Sequence, residues 1–280
     1  MSTLKYDTIG YWSEIKLDII KEYASAYSTI LSAEKSPHFY HIYIDAFAGA
    51  GKHISRNTGE FVLGSPLNAL LVDPPFKEYH FIDLKEQKIK SLEELVGSRH
   101  DVHIYHGDCN QVMIKEIIPR VRYEDYHRAL CVLDPYGLHL DWTIPLTIGQ
   151  MKTFDVFLNF PVMDMNKNVL WRNPEGVSGS QIDRMNKFWG DDSWLKIAYV
   201  ESPQLTLFGG PDIVKTSNET IAEAFRERLK KVAGFNYVPR PIAMRNTQNA
   251  VIYYLFFASH KPAASIVLQD IFNKYENRKG

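Results

Sequence analysis

The feature that most constrains the fold is a regular alternation of short apolar runs with helical segments between residues 39 and 160. Apolar, β-branched and aromatic runs predict strands at residues 39–45, 79–83, 102–106, 129–134 and 154–160. Amphipathic or capped segments between them predict helices, for example at residues 86–96, where Gly97 ends the pattern. Strands that alternate with helices pair in parallel, and helices then cover both faces of the sheet. The sequence therefore predicts a doubly wound α/β core.

Beyond residue 160 the regular alternation of strands and helices stops. Residues 161–215 contain Pro, Gly and Asn clusters and three of the five tryptophans, Trp171, Trp189 and Trp194, which predict a small satellite core. We interpret this stretch as an insertion after the fifth strand, a candidate substrate-recognition or lid segment. Residues 216–280 then complete the core with a helix, two strands joined by the turn-prone residues 246–249, and a closing helix.

The full prediction is a Rossmann-like α/β fold of the class I methyltransferase type. Its mostly parallel seven-stranded sheet ends in an antiparallel hairpin. Residues 1–160 supply an N-terminal helix and the cofactor-binding part, and residues 161–215 form the insertion. Residues 216–280 form the remainder of the core.

Composition limits the class of protein. The chain has 280 residues, of which 45% are hydrophobic and 23% charged, as in ordinary soluble domains. The longest apolar run, residues 251–258, is too short to span a bilayer, and the N-terminus lacks a signal-peptide pattern. Two cysteines provide no disulfide framework and no Cys-based metal site. We therefore expect a cytoplasmic protein without a membrane partner.

Charge is distributed unevenly along the chain. Residues 226–280 carry ten Lys/Arg and three Asp/Glu, an excess of +7, although the whole chain has a net charge of −1. A basic end can bind phosphates, but lysines and arginines also decorate solvated helix ends. The sequence leaves both interpretations open.

A run of small residues follows the first strand of the core. After Asp45 come Phe47, Ala48, Gly49 and Gly51, a loop that lets the backbone approach a ligand at the carboxyl edge of a parallel sheet. Two phosphate-binding motifs do not fit this loop. The dinucleotide fingerprint needs a glycine where Ile54 stands, and a P-loop needs a glycine at Ala46 and Ser or Thr at His53.

The remaining interpretation is a nucleoside site, in which Asp45 and the loop amides meet the amino-acid end of S-adenosylmethionine (SAM). Further acidic residues end the next strands. Asp83, followed by Leu84, can accept the ribose hydroxyls, and Asp108, followed by Cys109, can accept the adenine amino group. Helix capping alone is the alternative role for such aspartates.

Several motifs together resemble the three-Cys-motif partner family, TcmP, over nearly the whole chain. They are Trp12…Lys16-Leu17, the run from Tyr43 to Gly51, Gly64-Ser65-Pro66, Asp134-Pro135-Tyr136-Gly137, Asn159-Phe160-Pro161 and Tyr253-Tyr254-Leu255…Ala258-Ser259-His260. The resemblance implies a SAM-dependent methyltransferase that works with a companion protein bearing three cysteines and similar to radical-SAM enzymes. One departure is that the first arginine after Asn159-Phe160-Pro161 is Arg172, later than the family pattern predicts.

The fourth strand ends in the candidate catalytic residues Asp134, Pro135 and Tyr136. Amino-group methyltransferases place an Asp/Asn-Pro-Pro-aromatic motif at this position. Its polar atoms hold the hydrogens of the amine, and its aromatic side chain stacks on a flipped base. This chain has one proline and Gly137 after the tyrosine. The better literal match, residues 73–76, precedes the second strand, so we expect it at the opposite edge of the sheet, where its prolines end a helix.

Three further residues are predicted near the substrate. Asn159 ends the fifth strand, and Arg245 and Asn246 lie where the closing hairpin opens onto the same edge, although Asn246 is also a common turn residue. No histidine pair has metal-ligand spacing, so no metal is predicted. Two hypotheses follow: a SAM-dependent methyltransferase that modifies an amino group, favouring nucleic acid, or a non-catalytic protein of the same fold that binds the companion.

Overall fold

The structure, a computed structural model, describes residues 6–205, 211–246 and 248–276. In chain order its strands are β1 Thr8–Ile9, β2 Tyr40–Asp45, β3 Lys52–Ser55, β4 Phe61–Leu63, β5 Glu78–Asp83, β6 Val102–His106, β7 His127–Leu133, β8 Phe154–Phe160, β9 Tyr199–Leu205, β10 Pro211–Lys215, β11 Ile242–Arg245 and β12 Val251–Ala258.

The helices pack on and around this framework. They are α1 Tyr11–Ala33, α2 Ser65–Leu70, α3 Glu86–Val96, α4 Cys109–Val112, α5 Thr143–Met151, α6 Val162–Asn168, α7 Gly179–Trp189, α8 Trp194–Ala198, α9 Asn218–Lys231 and α10 Pro262–Glu276. The predicted helix after the third strand is irregular, because α4 continues as a π-helical turn, Met113–Ile117, and a 3-10 turn, Ile118–Arg120.

The central sheet has the strand order β11-β12-β8-β7-β2-β5-β6. Strands β8, β7, β2, β5 and β6 are mutually parallel, and β12 is antiparallel to both β8 and β11. The predicted Rossmann-like sheet of the class I methyltransferase type, closed by an antiparallel hairpin, is therefore confirmed. The chain moves outward from β2 on both sides, so the carboxyl ends of β2, β5 and β7 flank the point where the strand order switches. Open α/β sheets bind ligands at this point.

Two buried layers hold the sheet between its helices. On one face, residues such as Met113, Ile148 and Phe225 bring α5, α9 and the irregular helix against the strands. On the other face, Ile19 and Leu268 are among the residues that bring α1 and α10 against the strands. Each face is thus covered, as parallel pairing requires.

The insertion contributes to one of these layers. Trp189 and Trp194 are buried in the same cluster as Phe225, so the prediction of a satellite core is wrong for them. Trp171 is 43% exposed. The two tryptophans join the main core because α7 and α8 pack back against α5 and α9 rather than projecting from the domain.

A small accessory sheet was not predicted. The hairpin β3–β4 follows the loop after β2, and β1 adds to it in parallel, in the order β1-β3-β4. An ion pair between Asp7 and Lys88 of α3 fastens the N-terminal segment to the core. Within the described ranges, no helix is both long enough and apolar enough to cross a membrane.

Candidate functional site

The loop after β2 is built around a buried carboxylate. Asp45 is fully buried; its Oδ1 atom accepts from the backbone N–H of Phe47, and its Oδ2 atom accepts from the Ser65 hydroxyl. Gly64 occupies the N-cap position of α2, so the Ser65 hydroxyl is free to bond Asp45. Burial raises the pKa of Asp45 to about 7, although both hydrogen bonds favour its charged form. This carboxyl group can therefore change its charge near neutral pH.

The backbone conformation of Gly49 leaves room beside the loop that follows β2. Gly49 adopts a positive φ of 68°, and a Cβ atom there would meet no atom within 4 Å. Its backbone N–H donates to Asp83 Oδ2 at 3.0 Å, which ties the end of β5 to the loop after β2. Ala48 is buried beneath the loop. Gly49 thus leaves open space beside the buried loop, while the Ala48 side chain packs inward.

Asp83 and Leu84 lie beside this loop at the end of β5. Asp83 Oδ1 accepts from the backbone N–H of Lys85 at 2.8 Å, so each carboxylate oxygen has one backbone donor and a further lone pair. Leu84 is 70% exposed, which is unusual for a large apolar side chain next to a polar cleft. This pair can offer hydrogen-bond acceptors and an apolar surface to a flat ligand.

Asp108 and Cys109 follow β6 at the same edge. Asp108 is the N-cap of α4, and its Oδ1 atom accepts from the backbone N–H of Asn110 at 2.8 Å. Asp108 therefore caps α4 through its Oδ1 atom, and its Oδ2 atom takes no part in that bond. The Cys109 side chain is only 6% exposed, and burial raises the pKa of its thiol to about 12. Only the backbone of Cys109 faces outward enough to meet a ligand.

An ion pair that the sequence did not predict lies at the end of β7. Lys16 of α1 bonds Asp134 Oδ2, and its ammonium group lies 5.1 Å from the centre of the Tyr253 ring. Lys16 is 8% exposed. Burial disfavours its charged form, but the adjacent Asp134 carboxylate outweighs burial and raises the pKa of Lys16. Asp134 Oδ1 has no hydrogen-bond partner among the described residues.

The sequence did contain a signal for this lysine. Lys16 stands between Ile15 and Ile19 on the face of α1 that packs against the sheet, where a charged side chain needs a partner. A lysine on the apolar face of a predicted core helix indicates a buried carboxylate, but only the structure identifies Asp134.

The residues after Asp134 present an aromatic ring to solvent. Tyr136 is 90% exposed, whereas Pro135 in the same turn is buried. Gly137 has a positive φ of 69°, and a Cβ atom there would lie 2.8 Å from Asp164 Oδ2. Glycine is needed at this point because α6 approaches so closely. The turn thus holds Tyr136 outward beside Asp134.

Asn159 ends β8 at this edge and is 9% exposed. Its Oδ1 atom is buried and has no hydrogen-bond partner among the described residues. An unsatisfied buried acceptor is costly, so the side chain is available to a ligand donor.

Arg245 and Asn246 lie in the hairpin between β11 and β12. Asn246 Oδ1 accepts from the backbone N–H groups of Gln248 and Ala250, which is turn chemistry. In the described part of the chain, no hydrogen bond or ion pair joins Arg245 or Asn246 to Asp134. Both line a separate trough of about 1690 Å³ along the outer edge of β11. Their contact with an acceptor stays a prediction.

The literal match at residues 73–76 lies at the opposite edge, as expected. Phe76 is 2% exposed, and the Pro74 carbonyl accepts from Ser28. Ser28 also bonds His41, at the amino end of β2. Among the described residues, no group of three or more His, Cys, Asp or Glu side chains is arranged to hold a metal ion.

Comparison with known proteins finds similarity in structure but not in sequence. No family model matches the chain, so its resemblance to the three-Cys-motif partner family stays a prediction. No curated protein matches its sequence either. A Legionella pneumophila str. Philadelphia 1 protein of the DUF519 family has a TM-score of 0.51 and 14% identity, over 93% of this chain and 92% of that one. This likeness supports the fold.

Two further solved structures have lower TM-scores. A putative S-adenosylmethionine-dependent methyltransferase from Listeria monocytogenes has a TM-score of 0.43 and 13% identity, over 85% of this chain and 98% of that one. The CMeT domain of a citrinin polyketide synthase has a TM-score of 0.44 and 12% identity, over 88% of this chain and 53% of that one.

Proposed function

We propose that this chain is a SAM-dependent methyltransferase that modifies an amino group, with nucleic acid as its substrate class. The observation that carries the proposal is the Asp134 carboxylate, held by buried Lys16 beside the exposed ring of Tyr136. This arrangement lies at the switch-point edge of the sheet, next to the glycine loop after β2.

The residues at that edge fit SAM. The space beside Gly49 admits a ligand close to the loop backbone, and buried Asp45 fixes that backbone from behind through the Phe47 N–H. Asp83 retains lone pairs for ribose hydroxyls, and exposed Leu84 offers an apolar surface to adenine. Asp108 keeps one carboxylate oxygen outside its capping bond for the adenine amino group. Each element of the nucleoside thus has a candidate partner.

Bound SAM supplies an electrophilic methyl group. The chain's own task is to hold a weakly nucleophilic amine with its lone pair toward that group. Asp134 Oδ1 can accept one N–H of the amine because Lys16 occupies Oδ2. The unpartnered Oδ1 of Asn159 is a candidate second acceptor. As the amine gains its new bond, Asp134 is placed to hold the departing proton.

Stacking favours a nucleobase as the acceptor. Tyr136 exposes 90% of its surface beside Asp134, as an aromatic platform for a base removed from its stack. The basic C-terminal region contributes less to this argument. Arg226, Arg228, Lys230 and Lys231 of α9 pair with carboxylates of the chain itself, which accounts for these charges without a nucleic acid.

The test is transfer of a labelled methyl group from SAM to RNA and to denatured DNA, followed by identification of the methylated nucleoside. We expect incorporation by the unmodified chain and a loss of at least about a hundredfold with Asp134→Asn. Tyr136→Ala should raise the KM for nucleic acid. Tyr126→Ala, at the opposite edge and 49% exposed, is the matched control and should change neither quantity.

Three results would contradict the proposal. Incorporation that Asp134→Asn leaves unchanged would remove Asp134 from the reaction. Binding of S-adenosylhomocysteine without transfer to any nucleic acid would favour a non-catalytic partner of the same fold, and transfer to protein alone would change the substrate class.

A further inference from the structure

The trough along β11 opens onto an unpaired strand edge. Arg240, Pro241, Ile242 and Ala243 line it in succession. Alternate side chains of a strand point to opposite faces of the sheet. A cavity that meets successive residues therefore meets the strand at its edge. β11 is the outermost strand of the sheet, with β12 on its inner side.

The hairpin geometry identifies which backbone groups face the trough. The Asn246 N–H donates to the Ala250 carbonyl, so the backbone of Asn246 points toward β12. Backbone groups of successive strand residues point to alternate sides. The pairing of β11 with β12 shifts register between Met244 and Arg245, so burial decides the direction of the next residues. Met244 is fully buried and faces β12, whereas Ala243 is half-buried, so the N–H and C=O groups of Ala243 face outward. An edge with free donors and acceptors is a template for another strand.

The two walls of the trough differ in chemistry. Glu219, Glu223 and Glu227 recur at four-residue intervals along α9, so their carboxylates form one row on the wall above β11. Glu223 and Glu227 also pair with basic residues of the same helix in exposed ion pairs, which contribute little and exchange readily.

The opposite wall has an aromatic part. Ile9, Tyr11 and Trp12, from β1 and the start of α1, are half-buried there, and Arg56 and Asn57 also line the trough. Tyr11 and Trp12 pack against the other face of the sheet from α9. An added strand would thus direct alternate side chains to an acidic wall and to an aromatic wall.

We propose that this trough binds an extended polypeptide segment as an additional strand beside β11, with basic side chains toward α9 and apolar side chains toward Trp12. Free backbone groups of the strand edge suit a peptide, and the glutamate row suits its basic side chains. Arg56, Arg240 and Arg245 also line the trough and can meet acidic groups of the same peptide. The volume of about 1690 Å³ exceeds the roughly 300–1,000 Å³ of small-molecule pockets. The inference is independent of methyl transfer.

The experiment uses a fluorescent seven-residue peptide of alternating Lys and Val, and measures anisotropy against the full chain. We expect saturable binding that weakens with salt, and no binding of the matching Glu/Val peptide. Ala243→Pro removes an outward N–H at an edge position that tolerates proline, and should weaken binding about tenfold or more. Ala243→Val keeps the N–H and is the matched control, so its affinity should be unchanged.

A second variant tests the acidic wall without altering the strand. Glu219→Lys with Glu223→Lys should abolish binding of the Lys/Val peptide, even where Ala243→Pro does not fold. The proposal is overturned by the absence of saturable binding up to about 1 mM peptide. Equal affinities for Ala243→Pro and Ala243→Val would also overturn it. Tighter binding of a seven-nucleotide single-stranded RNA would assign the trough to nucleic acid instead.

Discussion

At the scale of single residues, the candidate site depends on three ionisable side chains of different character. Asp45 is sealed from solvent, with a pKa of about 7. Asp134 is partly open and bound to Lys16, whose pKa the carboxylate raises. The lysine holds the Asp134 carboxyl group by its Oδ2 atom, whereas burial drives Asp45 toward neutrality. Environment, rather than residue type, separates the roles of the two aspartates.

Lys16 is therefore predicted to position Asp134. In Lys16→Met, a side chain of similar length keeps the packing, but Asp134 loses its cation. We expect kcat for methyl transfer to fall on the order of a hundredfold, with little change in the affinity for S-adenosylhomocysteine. Lys16→Arg should restore part of the rate, and Lys90→Met, which removes an exposed ion pair with Glu86, should have no effect. Unchanged kinetics in Lys16→Met would exclude a positioning role.

A second residue-scale prediction concerns Asp155, buried at the amino end of β8. Tyr23 and Ser259 donate to its carboxyl group, and burial raises its pKa to about 6. The folded state therefore binds a proton that the unfolded chain releases near its ordinary pKa of 3.8. This contribution to stability is full below pH 3.8 and is lost as the pH rises to about 6.

Denaturant unfolding across that pH range measures the effect. The free energy of unfolding of the unmodified chain should lose up to about 3 kcal/mol more than that of Asp155→Asn between pH 4 and pH 7. Parallel pH profiles for the two proteins would show that Asp155 does not titrate in this way.

At the scale of elements, the helices and strands that could be predicted are those with a clear hydrophobic periodicity in the sequence. The five parallel strands, most of the crossover helices and the final hairpin follow from apolar runs and turn residues. Ser217 caps α9 through the Thr220 N–H. The candidate site was predictable in part for the same reason, because strand-end aspartates share an edge when strands are parallel.

Other elements carried no local pattern. The hairpin β3–β4 has four-residue and three-residue strands with mixed polarity, and β1 pairs with β3 across more than forty residues of chain. The Lys16–Asp134 pair joins residues 118 positions apart. Such contacts depend on tertiary packing, which a window of sequence does not report.

Close packing of elements gives a test of the observed arrangement. A Cβ atom at Gly149 of α5 would lie 2.3 Å from the carbonyl oxygen of Ala233, just after α9. Gly149→Ala should therefore separate the two elements and lower the free energy of unfolding by about 1–3 kcal/mol. Gly179→Ala is the matched control, since a Cβ atom at the start of α7 meets nothing within 4 Å. Its urea midpoint should stay level or rise; equal losses in both variants would contradict this packing.

At the scale of the whole molecule, the direction of the sheet divides its acidic residues by role. Asp45, Asp83 and Asp134 end parallel strands and meet at the carboxyl edge. Asp155 begins β8 and forms buried hydrogen bonds with Tyr23 and Ser259 at the amino edge. Aspartate side chains thus contribute to a candidate ligand site at one edge of the sheet and to packing at the other. The direction of the strands determines which of these roles an aspartate has.

A ligand that bridges β2 and β5 at the switch point should stabilise the entire fold, because the unfolded chain has no such site. S-adenosylhomocysteine at a hundredfold its Kd should add about 2.7 kcal/mol to the free energy of unfolding. For a chain of this size that corresponds to a rise in Tm of roughly 5–10 °C. In Asp83→Ala the rise should disappear, whatever the Tm of the free variant, because the carboxylate that can accept the ribose hydroxyls is gone. Asp125→Ala, at the opposite edge, should keep the full rise, and NAD should produce none. The same rise in Asp83→Ala and Asp125→Ala would place the nucleoside elsewhere in the molecule.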